Sequence, residues 1–219
     1  MRFQAIIFDC DGVLIDSEVI ANQTERDYFA DFGLEITTEE FMARYVGLSF
    51  KDMISDIQAR VSRPVPSDVE AIVHKKIIAA FKGTLNPISG IEELVTSLTL
   101  PKAVASSSSI ERLEFTLRLT ELWDLFAPHI YSSSMVSRGK PAPDLFLLAA
   151  EKLGVEPGDC LVVEDSPLGV QGAKAAGMTV IGFVGGSHCG PDRADRLMNA
   201  GASFVANATA DILSWIATN

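Results

Sequence analysis

The chain is 219 residues long, 47% hydrophobic and 21% charged, with a formal net charge of −11. That length carries one α/β domain or a core with a smaller inserted domain, and the acidic balance is unsuited to a nucleic-acid backbone, which needs basic clusters. No apolar run approaches the roughly 18 residues that span a bilayer, so no membrane partner is expected. A start that runs straight into a strand leaves no room for a signal peptide, and Cys10, Cys160 and Cys189 lack disulfide or zinc spacing. A cytoplasmic location is therefore the expectation.

In chain order, the first predicted strand is the apolar run 3–8, and it leads into Asp9-Cys10-Asp11-Gly12. Residues at i and i+2 of a strand share a face, so the spacing predicts Asp9 and Asp11 side by side at the carboxyl end of a strand, where open α/β sheets bind ligands. Like charges so close call for a cation or a shared proton. Alone, an Asp-x-Asp is no more than an acidic turn. Cys10 should face the other way and pack as a small hydrophobe.

Residues 17–85 show helical periodicity and no convincing strand, with aromatic and aliphatic stripes at Tyr28, Phe29 and Phe32, at Phe41, Met42 and Tyr45, and at Ile72, Ile77, Ile78 and Phe81. This predicts a helical insertion whose stripes are its own core, joined by linkers near 15–17 and 82–87. Beyond it, strands are predicted at 103–105, 129–131, 160–163, 179–184 and 204–206, alternating with helices. The pattern implies a Rossmann-like, doubly wound parallel sheet with an inserted α-helical cap domain: core 1–16 and 86–219, cap 17–85. Ser89 with Glu92 and Ser108 with Glu111 have capping-box spacing, Ser166-Pro167 reads as an N-cap before a helical proline, and Gly154 and Gly177 read as C-terminal caps.

Three further polar segments fall at strand ends. Ser106 to Ser109 opens a helix, where free backbone N–H groups and hydroxyls make a seat for an anion; Ser106 and the Ser107 amide are the candidates, and Ser108 reads as a cap. In Arg138-Gly139-Lys140-Pro141-Ala142-Pro143-Asp144, Pro141 and Pro143 restrict the backbone around Lys140 and hold its ammonium as a point charge for a phosphoryl oxygen or a carboxylate. Glu164-Asp165-Ser166-Pro167 places hard oxygen ligands near Asp9, a donor set suited to Mg²⁺. His74 and His188 read as surface residues, His129 as packing beside its strand, and 185–190 as a flexible glycine-rich loop.

The order Asp-x-Asp-Gly, strand-end Ser, Lys-Pro-x-Pro-Asp, Glu-Asp-Ser resembles the haloacid dehalogenase superfamily, in the branch of β-phosphoglucomutase and small sugar-phosphate phosphatases. The resemblance covers nearly the whole chain. It implies that Asp9 is a nucleophile forming an aspartyl phosphate, that Asp11 is a general acid and then base, and that Mg²⁺ is held by Asp9, the Asp11 main-chain carbonyl and Asp165, with Glu164 acting directly or through water. It further implies that Ser106, the Ser107 amide and Lys140 hold phosphoryl oxygens, and that a cap closes over the site and chooses the leaving group. Candidate cap contacts are Asn22, Lys51, Lys75 and Lys76; Asp16 and Ser17 are assigned to structure.

The activity implied is Mg²⁺-dependent hydrolysis of a small phosphate monoester, with a sugar or sugar-acid phosphate as the expected partner and the chain a monomer or small homo-oligomer. A phosphosugar mutase shares the core, but mutases of this branch carry a cap histidine and arginine where ungapped counting finds Ala21 and Phe50. A receiver-type signalling module shares the acidic pocket, but receivers are shorter, lack a large helical insertion and place the phosphorylated aspartate at a later strand than the acidic pair.

Overall fold

Apolar runs become strands because a parallel sheet buries both faces and needs no alternation. β1 (Ala5–Phe8), β2 (Lys102–Ser106), β3 (Ile130–Ser132), β4 (Cys160–Glu164), β5 (Thr179–Phe183) and β6 (Phe204–Ala206) form one sheet in the order β3-β2-β1-β4-β5-β6. Every pairing is parallel. The computed structural model describes residues 3–45 and 50–219. Its helices are α1 (Glu18–Ala30), α2 (Thr38–Tyr45), α3 (Phe50–Gln58), α4 (Val69–Phe81), α5 (Ile91–Ser97), α6 (Ile110–Leu119), α7 (Trp123–Phe126), α8 (Asp144–Leu153), α9 (Pro167–Ala175), α10 (Arg193–Ala200) and α11 (Thr209–Thr218). None of them is long and apolar enough to cross a membrane.

The chain divides into two compact units, Met1–Asp16 with Asn86–Asn219, and Ser17–Leu85. In the first, all of β1 is shielded from solvent, with the Phe8 ring set edge-on to Phe126 at 5.7 Å. Each such fully buried side chain contributes about 1.5–3 kcal/mol of burial free energy. The chain moves outward from β1 to β2 and β3, then returns to the other side of β1 to build β4, β5 and β6. That reversal opens a crevice at the carboxyl ends of β1 and β4. The register pairs Phe8 with Val163, so Asp9 and Glu164 leave the sheet next to each other.

In the second unit, Phe29, Phe41, Ile57 and Phe81 are fully buried among α1 to α4. Tyr28 packs its ring 5.2 Å from Phe29 and 5.1 Å from Phe32, so the aromatic stripe is core. The helix α2 is started by a reciprocal capping box: Thr37 Oγ1 accepts from the Glu40 N–H at 3.1 Å and Glu40 Oε2 accepts from the Thr37 N–H at 2.8 Å. Asp56 gathers Arg44, Tyr45 and Arg60 at 2.9, 2.7 and 2.8 Å. Those hydrogen bonds, from Arg44 first and Tyr45 next, hold its carboxyl well below the usual range.

Two caps differ from expectation. The helix α5 begins after Gly90, whose φ of 74° carries the turn, and not after Ser89. The helix α6 is capped by Ser109, whose hydroxyl accepts from the Arg112 N–H, which releases Ser108 for another contact. Ser166 caps α9 with Pro167 in its first turn, and Gly154 and Gly177 take left-handed conformations just past α8 and α9.

Candidate active site

The strand-end motifs converge in the first unit. The Lys140 Nζ lies 3.0 Å from Asp9 Oδ1 and 2.5 Å from Glu164 Oε1, with its side chain 4% exposed. It also sits 5.2 Å from the centre of the Phe146 ring. Arg138, two residues earlier, grips Asp144 with two bonds of 3.1 and 2.7 Å at the start of α8, which pins the lysine's loop. Burial opposes the charge on Lys140, but Asp9 and Glu164 outweigh it and hold the ammonium above its ordinary range. Burial likewise pushes the Asp9 carboxyl well up; Lys140 pulls against it, while Glu164 and Asp165 add to the rise.

Glu164 is locked on its other oxygen by the N–H and hydroxyl of Ser166 at 2.8 and 2.9 Å. Its carboxylate fills the space over Gly169, where a Cβ would collide with it. The next residue, Asp165, accepts from His188 Nε2 through Oδ2 at 2.8 Å. This corrects the reading of His188 as a surface residue: the imidazole side chain is 1% exposed. Burial lowers its pKa, but the hydrogen bond to Asp165 and the contact with Cys189 reverse this and raise it to about 10. Nor is 185–190 a loose loop, because Ser187 is tied through its N–H and hydroxyl to Asp16 Oδ1 at 3.1 and 2.8 Å.

Asp11 has different company from Asp9. Its Oδ2 accepts from Ser108 Oγ at 2.7 Å and its Oδ1 from Arg112 Nη2 at 3.0 Å. Ser108 is thus a partner of the acidic motif rather than a helix cap. Ser106 is buried at the end of β2 and its Oγ accepts from the Ser108 N–H at 3.1 Å. Ser132, which ends β3, and Ser133 just after it donate to the carbonyls of Ser108 and Ser107 at 2.6 and 2.9 Å. The serine turn is held by hydroxyls that the neighbouring strand supplies, leaving the exposed Ser107 at its tip. Between the two aspartates, Cys10 is wholly buried, and burial followed by the charges of Asp11 and Asp9 pushes its thiol well up.

Asp9, Glu164 and Asp165 are buried and offer carboxylate oxygens all within 4.8 Å of one another. Asp9 Oδ1 is buried with an ion-pair partner but no hydrogen bond. Three buried hard-oxygen donors set this close together fit a divalent cation of the Mg²⁺ type.

The side chains singled out in the helical unit lie on its own helices. Asn22 is buried on α1 and donates to the Glu18 carbonyl at 2.7 Å. Lys51 and Lys75 are exposed, and the Lys76 ammonium sits 5.8 Å from the centre of the Tyr28 ring.

Residues 6–183 match the family model described as haloacid dehalogenase-like hydrolase. The chain is 28% identical over 191 residues to 6-phosphogluconate phosphatase of Escherichia coli K12, covering 87% of this chain and 86% of that protein. It is 34% identical over 183 residues to hexitol phosphatase B of the same organism, covering 81% and 82%. A crystal structure of a haloacid dehalogenase-like protein of unknown function from Agrobacterium tumefaciens superposes with a TM-score of 0.90 at 40% identity, over 99% of this chain and 98% of that one. With the sheet order, the strand-end acidic cluster and these similarities in agreement, the chain belongs to the haloacid dehalogenase-like hydrolase family.

Proposed function

We propose that this enzyme is a Mg²⁺-dependent phosphatase that hydrolyses a small sugar or sugar-acid phosphate through a phosphorylated Asp9. The observation that carries this reading is the buried trio of Asp9, Glu164 and Asp165 with Lys140 set between Asp9 and Glu164. Its relatives named as acting on 6-phosphogluconate and hexitol phosphates support the substrate class.

Asp9 and Asp165, with the Asp11 carbonyl, would hold the Mg²⁺, and Glu164 would reach it directly or through water; the bound ion offsets repulsion between the anionic nucleophile and the phosphate. An oxygen of Asp9 attacks phosphorus, the bond to the leaving alcohol breaks, and Asp11 gives that alcohol its proton. Asp11 then takes a proton from a water that attacks the aspartyl phosphate, which frees inorganic phosphate and restores Asp9. Throughout, Lys140, the Ser106 hydroxyl and the Ser107 amide hold the remaining phosphoryl oxygens. Positioning and charge stabilisation of this kind dominate phosphoryl transfer.

Hydrolysis is favoured over mutase chemistry because Ala21, buried on α1, offers no imidazole where mutases of this branch carry one. The test is phosphate release from a panel of sugar, polyol, acid and nucleotide monophosphates with Mg²⁺. Multiple turnovers on a sugar or sugar-acid phosphate, abolished by EDTA and by Asp9→Asn, are the expected outcome. Interconversion of a phosphosugar without phosphate release, or one stable phosphorylation per chain, overturns the reading.

A further inference from the structure

His188 takes no part in the steps above, yet the first unit is shaped around it. A Cβ on Gly186 would stand 2.8 Å from the imidazole Nδ1, and one on Gly12 would meet both the Asp165 carboxylate and, at 2.8 Å, the ring Cε1, so a larger residue at either position disturbs the pair. Gly12 also has a φ of 80°, a conformation that costs other residues and not glycine. The two bonds from Ser187 to Asp16 fix the loop to the segment after β1, and the Cys189 N–H donates to the Gly186 carbonyl at 3.1 Å to close the turn. Two glycines, a tied serine and a buried ring converge on one atom, Asp165 Oδ2.

Were His188 only filling space, an apolar side chain would serve without the cost of burying a polar ring. Its nitrogen is instead aimed at the Asp165 carboxylate just past β4. We propose that His188 is a positioning residue for the metal site: by donating to Oδ2 it fixes the Asp165 carboxylate for the cation it would share with Asp9. This rests on the Mg²⁺ reading above. A carboxylate already fixed loses less freedom when it binds a cation, and outer partners of ligands set metal affinity by about 10- to 100-fold.

The test is Mg²⁺ affinity at one pH by calorimetry, with Mn²⁺ binding by paramagnetic resonance alongside, in the absence of any substrate. Wild type is compared with His188→Ala, His188→Gln, His188→Asn and Asp165→Asn, each checked for folding by its metal-free melt. The neutral variants read positioning without a change of charge between them: His188→Ala should bind Mg²⁺ about 10- to 100-fold more weakly than His188→Gln. His188→Gln places an amide N–H where Nε2 stands, whereas the shorter His188→Asn should behave as the alanine variant. A folded His188→Ala that binds as tightly as His188→Gln overturns the proposal. If the alanine variant does not fold, equal affinity of the glutamine and asparagine variants overturns it. Wild type and Asp165→Asn binding Mg²⁺ equally poorly is a different failure: it removes the metal reading itself, and the role of His188 with it.

Discussion

Arg112 donates from Nη2 to Oδ1 of Asp11 across 3.0 Å. With Ser108 on the other oxygen, the carboxyl assigned to proton transfer accepts on both sides, and its direction is set by two residues from the turn and first helical turn after β2. Arg112→Gln should therefore misplace the acid. For an alkyl phosphate, whose leaving oxygen needs a proton, kcat should fall about 10- to 100-fold. For p-nitrophenyl phosphate, whose leaving group departs as the anion, the change should be small. Steady-state kinetics on the two substrates check this, and equal losses on both would remove the link to proton transfer.

Lys140 is the cation that Asp9 and Glu164 share. Replacing it by methionine keeps the stem and leaves two buried carboxylates uncompensated, which should cost about 3–5 kcal/mol of stability. Mg²⁺ should then raise the melting temperature of Lys140→Met by more than it raises that of wild type, since the site has become more negative. Denaturant melts with and without the ion read both effects.

Gly169 lies beneath the Glu164 carboxylate, where a Cβ would overlap it. Gly169→Ala should push Glu164 from Lys140 and Ser166, at about 1–3 kcal/mol for overpacking, and should reduce phosphate release and Mg²⁺ affinity together. Chemical denaturation, calorimetry and a turnover assay on the same sample test the coupling. Loss of stability with full turnover would detach Glu164 from the chemistry.

Asp56 provides a pH-dependent term. Its folded pKa lies below the ordinary 3.8 because Arg44 and Tyr45 hydrogen-bond the carboxylate, so its stabilising contribution is present above that ordinary value. As pH falls through it toward the lower folded value, the unfolded chain binds the proton first and the contribution is lost. Asp56 is 36% exposed at its side chain, so solvent screening keeps the term small. Melting temperature measured from about pH 5 to pH 3 should fall more steeply for wild type than for Asp56→Asn.

The sheet was legible because parallel strands are written as continuous apolar runs, and the expected strands differ from those observed by a residue or two at their ends. Acidic residues and the lysine at strand ends were legible for a related reason: topology brings every carboxyl end to one side, whatever the loops do. What could not be read were partners whose meaning depends on register. Ser108 and Ser109 are indistinguishable as letters, and only the turn decides that one caps α6 while the other reaches Asp11. Nothing in the letters sets Arg112 apart from any other arginine on a helix, or Ser132 and Ser133 from other polar residues at a strand end. His188 did leave a sign, the paired glycines Gly185 and Gly186 after β5, but that pair looks like slack unless one knows that β5 lies beside β4.

The central place of β1 has a consequence for how the protein is made. Ile6 pairs with Lys102 on one side and with Leu161 on the other, so the strand that carries Asp9 emerges from the ribosome long before either neighbour exists. Such distant pairings make closure slow, and a wholly apolar strand meanwhile has unpaired edges open to other chains. Synthesis must pass β4 before β1 is covered on both sides. The strand that leads into Asp9 is thus the early hazard of this chain's folding, and the late arrival of β4 both ends that hazard and completes the acidic cluster.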